Sequence, residues 1–410
     1  MKKAAFIILI FCLLLAACGQ HTITPSEGED LSNSVESTPL NTESMSIPSE
    51  QETKPAKELH PEMYNQSATG DYIETEDAIY YYDKMRQRIC FSVDNGSHFY
   101  PLCSKANCTH SDENCTASGK GVAFFEGSLY TIRFDDMANL FRVVRISLDG
   151  TDQGEIQTIP FPGGGSFEYS YHNGKVFISF SPSYISKPLE ELRQRVFMID
   201  LRSGEITEPL QELLKDGLRI SSFRFYENIM AAYTEGTYVS SGLDEARALY
   251  IDMDTWNVRE YMKGVGKSVY YMDDSKLYFV VANAVYFEKG NMHIEKTSDL
   301  DEGFYEVDIR TGEIVKCLTT EDVYRARYDE DYIYVTSYPR DKDGQQHTLY
   351  IYNRDYELLE QKELDRYEYF VFASSDRLFF AREYDFSKIY NYMEKSDIGS
   401  GNMPIYDVNK

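Results

Sequence analysis

A dense group of cysteine and histidine side chains is the first feature of this sequence with residue types suited to chemistry. In the segment YPLCSKANCTHSDENCTAS, Cys103 is followed by Cys108, His110 and Cys115. Three thiols and one imidazole match the ligands of a tetrahedral zinc site, although the spacing is not that of a known zinc finger or knuckle. Thiols of an exported chain also form disulfides, and a Cys-His pair can supply a nucleophile if the thiol is exposed and acidic. All three interpretations stay open at this point.

The N-terminus carries another thiol in a distinctive setting. Residues 1–17, MKKAAFIILIFCLLLAA, place two lysines before an apolar run and then small residues, which is the pattern of an export signal. The run is too short to predict a stable transmembrane helix. The sequence LAAC that ends at Cys18 resembles the lipobox of bacterial lipoproteins. This resemblance implies that Cys18 receives a thioether-linked diacylglycerol and becomes the mature N-terminus. It also implies a protein held at the cell membrane on its extracytoplasmic side.

Export changes how the remaining cysteines are interpreted. An oxidising compartment favours a disulfide, or two, over metal binding or catalysis for the cysteine group. Cys90 is a candidate for a further sulfur of this group or for a core thiol. Cys317 lies in the strand-like run EIVKCLTT and is expected to be an apolar core residue. Apart from Cys18, five cysteines remain after removal of the signal, so at least one stays unpaired within the chain.

The composition excludes several classes of protein. The chain has 67 acidic and 41 basic side chains and a formal net charge of -26, which argues against nucleic-acid binding and against polar binding to an anionic membrane. A hydrophobic fraction of 42%, with 34 Tyr and 23 Phe, excludes a wholly disordered chain. Residues 19–60 differ from the rest, since they contain 12 Ser or Thr, 8 acidic residues, 4 Pro and no Phe, Tyr or Trp. We therefore interpret residues 18–63 as a flexible tether and residues 64–410 as the folded domain.

Two sequence units recur along the folded domain. The first is a polar turn followed by an apolar pair, at intervals of 50, 47, 53, 48, 56 and 45 residues. Its seven copies are Ile79-Tyr80, Leu129-Tyr130, Val176-Phe177, Ile229-Met230, Leu277-Tyr278, Ile333-Tyr334 and Leu378-Phe379. The second unit is clearest in MIDLRSGEI and VDIRTGEI, and weaker in ISLDGTDQ, IDMDTWNV and IYNRDYEL. It reads as a strand, a tight turn and a further strand.

These repeats predict an all-β fold, a single β-propeller of seven four-stranded blades. The alternatives are a β-sandwich array or a stack of hairpins, and six or eight blades, because the terminal copies are the faintest. Short helical insertions are expected at 187–195 and 207–216. The tail MPIYDVNK is expected to close the ring by pairing with the first blade, since an open ring leaves strand edges exposed.

Taken together, the LAAC motif, the acidic Ser/Thr-rich spacer and the repeats resemble bacterial lipoproteins with a β-propeller ectodomain. The resemblance covers nearly the whole chain. Its repeat motifs are architectural, and members of the group are mostly described as surface proteins of undefined function. What the resemblance implies is therefore a location and a fold rather than an activity.

A ligand of such a ring is expected at the central channel or the mouth at one rim. Aromatic rings stack on sugars and arginines bind carboxylates, whereas the alternative role of these residues is packing between blades. Candidates on the predicted innermost strands are Tyr169, Tyr171, Arg224, Tyr270, Arg325, Arg327 and Tyr367.

The sequence contains no nucleophile elbow, Gly-rich phosphate loop or metalloprotease helix motif. We therefore expect a binding or scaffolding module for a glycan, peptide or protein partner, with no catalytic residue assigned. An envelope assembly factor is a related possibility. The alternative from another class is a cell-envelope propeller enzyme, a glycan hydrolase or lyase that uses channel carboxylates. We expect a monomeric ectodomain without a cofactor, unless the cysteine group holds zinc.

Overall fold

The computed structural model describes residues 71–408 except for positions 111–113, 136, 162–164, 183–192, 216, 238–246, 264–267, 274–275, 282–283, 289–290, 296–299, 302, 309, 319–322, 330, 338–346, 366–367 and 383–384. For parts of several strands only the backbone is described. The predicted signal and tether, and nearly all of the predicted helix at 187–195, lie outside the described residues. Within the described part of the chain, no helix combines the length and apolarity needed to cross a bilayer.

Seven four-stranded antiparallel sheets follow one another along the chain and form the blades of a β-propeller. Blades 1 and 2 consist of β1 (Tyr72–Glu74), β2 (Ile79–Asp83), β3 (Arg88–Ser92), β4 (Tyr100–Pro101), β5 (Lys120–Phe125), β6 (Ser128–Asp135), β7 (Leu140–Ile146) and β8 (Gln153–Pro160). Blades 3 and 4 consist of β9 (Gly165–His172), β10 (Lys175–Pro182), β11 (Arg195–Asp200), β12 (Ile206–Thr207), β13 (Leu218–Tyr226), β14 (Ile229–Thr237), β15 (Arg247–Asp252) and β16 (Val258–Lys263).

The last three blades follow the same plan, with one insertion. Blade 5 consists of β17 (Ser268–Asp273), β18 (Lys276–Val281), β21 (Gly303–Asp308) and β22 (Ile314–Leu318), and the hairpin β19 (Ala284–Glu288) and β20 (Asn291–Glu295) is inserted between its second and third strands. Blades 6 and 7 consist of β23 (Val323–Tyr328), β24 (Tyr332–Ser337), β25 (Thr348–Asn353), β26 (Leu358–Glu363), β27 (Glu368–Ala373), β28 (Arg377–Arg382), β29 (Asp385–Glu394) and β30 (Tyr406–Asp407). The predicted fold class and blade count are confirmed.

Both recurring sequence units have a defined place in the blades: the first unit occurs in all seven, and the second in blades 2 to 6. The apolar pairs lie at the start of the second strand, which is the most deeply buried: all of β2 is buried, whereas the fourth strand β26 is mostly exposed. The second unit is the turn between the third and fourth strands. In blade 3 the Asp200 carboxylate accepts the N–H groups of Arg202 and Ser203 at 3.0 and 2.8 Å. Gly204 follows with a φ of 73°, which its missing Cβ permits without strain.

The two rims of the propeller differ in the length of their connections. The first strands of neighbouring blades contact one another around the centre, for example β1 with β5 and β13 with β17. Connections from first to second strands are tight turns such as residues 126–127 and 173–174. The second strands end and the third strands begin at the opposite rim, and the chain leaves each fourth strand for the next blade there, as it does from β4 to β5. We call this second rim the long-connection rim.

A short helix and several bulges add detail to this plan. The helix predicted at 207–216 is present as one turn, α1 (Gln211–Leu214), which buries Leu214. The register shifts within β5, β13, β17, β23 and β27 place a bulge in five of the seven first strands. Bulges increase local twist and bend a strand, as required where sheets crowd around an axis. The β19–β20 hairpin was not expected, although its sequence AVYFEKGNMHIE contains a strand, turn and strand.

The prediction that the tail pairs with the first blade is wrong. The tail strand β30 pairs with β29, with Tyr392 opposite Tyr406, and supplies the fourth strand of blade 7. Blades 1 and 7 meet through side chains instead. The rings of Tyr72 and Phe372 stack with centroids 4.2 Å apart, and Phe379 is fully buried in the same cluster.

Polar contacts reinforce this junction between the first and last blades. The backbone N–H and hydroxyl of Ser375 donate to the Glu74 carboxylate at 2.7 and 2.5 Å. The Arg377 guanidinium donates to the Asn95 carbonyl at 2.6 Å and to the Ser97 hydroxyl at 2.9 Å. Burial raises the pKa of Glu74, although the bonds from Ser375 oppose that shift. The ring is therefore closed by aromatic packing and hydrogen bonds rather than by a shared sheet.

His172, at the end of β9, makes the junction between blades 3 and 4 sensitive to acid. Its ring stacks on Phe225 with centroids 4.8 Å apart, and its Nε2 donates to the Glu227 carbonyl at 2.6 Å. Burial lowers the pKa of His172 from 6.5 to about 4, and the nearby Lys175 adds to this effect. The neutral imidazole is therefore part of the folded state.

We predict that replacing His172 by Gln reduces the loss of stability on acidification. Below pH 6.5 the unfolded chain binds a proton at this residue that the folded chain does not take up until about pH 4. The wild-type free energy of unfolding should fall by about 3 kcal/mol more than that of His172→Gln between pH 7 and pH 4. Urea unfolding of both proteins across this range measures the difference. Parallel pH profiles would contradict the assignment.

Candidate metal centre

The cysteine group lies in the connection between blades 1 and 2, on the long-connection rim. The structure brings Cys103, Cys108, His110 and Cys115 together, with their four potential ligand atoms all within 4.8 Å of one another. Cys115 is fully buried, and the other three are half-buried. All five described cysteines are free thiols. The arrangement can hold a metal ion.

Tight backbone turns, two of them with positive φ angles, bring these side chains together. The Cys103 N–H donates to the Pro101 carbonyl at 2.7 Å, which reverses the chain directly after β4. Asn107 and His110 have φ values of 60° and 56°. Asn and His are among the residues that tolerate this left-handed conformation best. These two residues lie on either side of Cys108, in the turns through which the four ligands approach one point.

The observed spacing fits a tetrahedral metal. Zn–S bonds of about 2.3 Å and Zn–N bonds of about 2.0 Å at tetrahedral angles place a sulfur and a nitrogen about 3.5 Å apart, and two sulfurs about 3.8 Å apart. The Cys115 sulfur lies 3.5 Å from the His110 Nδ1. A disulfide would instead require two sulfurs about 2.05 Å apart. The four side chains are therefore arranged around one point and not joined in pairs.

The surroundings of Cys103 and Cys115 shift the pKa values of these two thiols in opposite directions. Burial acts to raise the pKa of Cys103, but a hydrogen bond from the Lys105 backbone and interactions with Thr116 and the neighbouring thiols leave it below its ordinary value. Burial raises the pKa of Cys115 to about 12, even though the Ala117 backbone donates to its sulfur. A divalent cation would supply the charge needed to deprotonate this second group.

Both neighbouring blades hold the far end of the connection at 102–119, which we call the metal loop. The Ile89 N–H in β3 donates to the Ala117 carbonyl at 2.7 Å, and the Thr116 hydroxyl donates to the Leu102 carbonyl at 2.9 Å. From β6, Arg133 donates to the carbonyls of Cys115 and Ser118, each at 3.0 Å. Arg133 was missed by sequence analysis, because no local pattern links a strand arginine to a loop that precedes its blade.

The remaining cysteines lie elsewhere. Cys90 is buried in β3, in the cluster that joins blades 1 and 7, and does not belong to the metal-binding group. Burial raises its pKa to about 12, with a further contribution from Asp83. Cys317 in β22 is half-buried at the edge of the core cluster that includes Phe304, and burial raises its pKa as well.

The predicted ligand-binding residues of the inner strands are not gathered at one site by the described structure. Tyr169 and Tyr171 are buried in the core of the first three blades, and the Tyr171 hydroxyl donates to the Lys120 carbonyl at 3.2 Å. In this position both rings pack between blades. Arg224 is half-buried, and its guanidinium donates to the Phe223 carbonyl at 2.6 Å.

The other candidates are only partly described. Arg327 is half-buried in β23. Tyr270 and Arg325 lie on β17 and β23, where only the backbone is described, and Tyr367 lies outside the described residues. A shared ligand site for these residues stays a prediction.

Comparisons with known proteins identify the fold and no closer relationship. No protein-family model matches the sequence, and no similar curated protein is found. A solved prolyl endopeptidase is similar to this chain with 9% identity, a TM-score of 0.53, and coverage of 85% of this chain and 51% of its own. This chain thus spans about half the length of that enzyme.

Two further solved structures match this chain at lower similarity. The β-propeller domain of the Trilobed protease from Pyrococcus furiosus has 9% identity and a TM-score of 0.46, with 83% and 95% of the two chains covered. BamB from Moraxella catarrhalis has 10% identity and a TM-score of 0.36, with 77% and 93% covered. The protein is a seven-bladed β-propeller.

We predict a wide range of thiol reactivity in the metal-free protein. Cys103 is half-buried and has a lowered pKa, so iodoacetamide should modify it first. Cys90 and Cys115 are buried and have pKa values near 12, so they should react slower by roughly tenfold or more. Peptide mass spectrometry over a time course at pH 7.5 measures these rates, and denatured protein provides the control. Equal rates for Cys90 and Cys103 in the folded protein would contradict this account.

Proposed function

We propose that this protein is a lipid-anchored, extracytoplasmic binding or scaffolding module whose long-connection rim receives a glycan, peptide or protein partner. A zinc ion held by Cys103, Cys108, His110 and Cys115 fixes the connection between blades 1 and 2. The observation that carries this proposal is the convergence of the four potential ligand atoms to within 4.8 Å of one another.

The ligand set favours zinc over the hard divalent cations. Thiolate and imidazole are the ligands that structural zinc sites use, whereas magnesium and calcium prefer oxygen. Three thiolates, one neutral imidazole and Zn²⁺ carry a net charge of -1, and the Arg133 guanidinium bonded to the Cys115 carbonyl lies close enough to offset it. With four protein ligands the coordination shell is complete. The zinc is therefore assigned a structural role and not a catalytic one.

The long-connection rim offers places for a partner to bind. One polar cleft opens beside the metal loop, in blade 2. A second cleft of about 210 Å³ lies between blades 3 and 4, and Ser166, Ser181 and Ser222 are among the residues that line it. Concave sites with convergent polar groups are the usual location of ligands, and loops on a rigid scaffold usually supply the contacts.

An enzymatic role has less support among the described residues. A glycan hydrolase or lyase would need paired carboxylates facing the channel, at least one with a raised pKa. Glu74 is a carboxyl group with a raised pKa, but Ser375 binds it at the junction of the first and last blades. We therefore assign the protein to the binding class.

The membrane anchor rests on Cys18 and its LAAC motif. Acyl chains on this residue would hold the propeller at the membrane surface through the acidic tether, since each buried methylene contributes about 0.8 kcal/mol. The tether would keep the rim accessible to partners.

We predict one equivalent of zinc in the full-length protein purified without chelators. Cys108→Ser should lose most of the metal, and Cys317→Ser, which removes a thiol outside the site, should retain it. Plasma mass spectrometry measures the zinc, and cobalt substitution should give the intense absorption of tetrahedral cobalt-thiolate. A disulfide among Cys103, Cys108 and Cys115 in freshly isolated, metal-free protein would refute the zinc assignment.

We predict that Cys18→Ser releases the protein from the membrane fraction. Wild-type protein should partition into the detergent phase and carry a diacylglycerol mass on an N-terminal Cys18. The variant should keep its signal segment or appear in the aqueous phase, and Cys90→Ser serves as the matched control. Wild-type protein with an unmodified N-terminal thiol would contradict the anchor.

A further inference from the structure

The cleft beside the metal loop has a polar lining suited to a particular ligand class. It has a volume of about 260 Å³ and lies on the long-connection rim of blade 2. Residues from the metal loop form one wall, namely Asn114, Ser118 and Gly119, and strands β6 to β8 form the other. This volume is just below the range of about 300–1,000 Å³ typical of drug-sized ligands, so a small unit such as one sugar ring is the appropriate occupant.

The uncharged polar groups of the cleft match the hydroxyl groups of a sugar. Gln87 and Asn114, which carry amide side chains, and Ser118, which carries a hydroxyl, are among the residues that line the cleft. Amides both donate and accept hydrogen bonds, as sugar hydroxyls do, and planar side chains can bridge two neighbouring hydroxyls.

The charged groups of the cleft are largely matched among themselves. The Arg142 guanidinium lies 3.0 Å from the Asp135 carboxylate and 4.0 Å from that of Glu155. Arg133 donates to Gln153 Oε1 at 2.7 Å in addition to its two loop carbonyls. The Lys120 ammonium lies 4.6 Å from the centre of the Phe167 ring. Since the whole chain has a net charge of -26, an anionic polymer would also be repelled at long range.

We propose that this cleft binds an uncharged saccharide and that the metal centre holds one of its walls in place. The inference rests on the proposed function and specifies the ligand class of one of its sites. The metal centre and the cleft are linked through the chain, because Asn114 directly precedes the ligand Cys115. The Asn114 carbonyl also accepts hydrogen bonds from Lys105 at 3.1 Å and from Gln153 at 3.4 Å. Loss of the metal would therefore move the wall that carries Asn114 and Ser118.

The test uses zinc-loaded full-length protein in detergent and measures binding of soluble hexasaccharides. The probes are neutral hexamers of glucose, mannose and N-acetylglucosamine, with a hexamer of glucuronate as the acidic comparison. At least one neutral hexamer should bind, with little dependence on salt. A double variant, Gln87→Ala with Asn114→Ala, should weaken that binding about tenfold or more. The matched control is Gln361→Ala, an exposed residue of the outer strand of blade 6, which should leave binding within about twofold.

The outcomes separate this inference from the proposed function. Zinc content is measured on the same samples, and Cys108→Ser should lose both zinc and saccharide binding. If the protein holds one equivalent of zinc but no neutral hexamer binds at millimolar concentration, the cleft assignment is overturned and the metal centre stands. Binding that persists in the double variant, or that selects the glucuronate hexamer at low salt only, also overturns it. Failure to hold zinc would instead refute the proposed metal site.

Discussion

The burial of both apolar faces of every blade against its neighbours is the constraint on which this structure depends. Each blade is a single small sheet, which cannot bury its two faces alone, so it is stable only between two others. For blades 1 and 7 this requirement is met at the junction where Tyr72 stacks on Phe372 and Phe379 is fully buried. Since a fully buried side chain of this size contributes on the order of 1.5–3 kcal/mol, a few aromatic contacts replace the hydrogen bonds of a shared sheet.

This constraint leaves the connections between blades as the weak points. Strand pairing holds each blade together but ends at its outer strand. The chain must then return to the centre of the ring without a neighbouring strand to pair with. Between blades 1 and 2 that return is long, from Leu102 to Gly119, and β4 is only two residues. The proposed metal lies at this place, where few backbone pairs form. Arg133 and Ile89 connect the loop to both blades, so a metal there would fix the orientation of a rim surface as well as a loop.

The architecture could be predicted from the sequence because its signals are local and repeated. The seven apolar pairs begin the second strands, so their period reports the blade count directly, and the turn units after the third strands of blades 2 to 6 agree with it. The tail could not be placed, because the choice of β30 between blade 7 and blade 1 depends on the bend at Lys395–Asp397 and on contacts distant in sequence. The sequence correctly placed Tyr171 on an inner strand. It could not show that this side chain is buried, because that depends on how neighbouring blades pack. For the cysteine group the residue types were evident, whereas the convergence of their ligand atoms depends on the backbone at Asn107 and His110.

The most direct test of the account is zinc K-edge X-ray absorption of the full-length protein loaded with one equivalent of zinc. The account predicts a four-coordinate shell of three sulfurs at about 2.3 Å and one nitrogen at about 2.0 Å. A shell of nitrogen and oxygen atoms without sulfur would contradict it, because the metal would then lie outside the joint between blades 1 and 2.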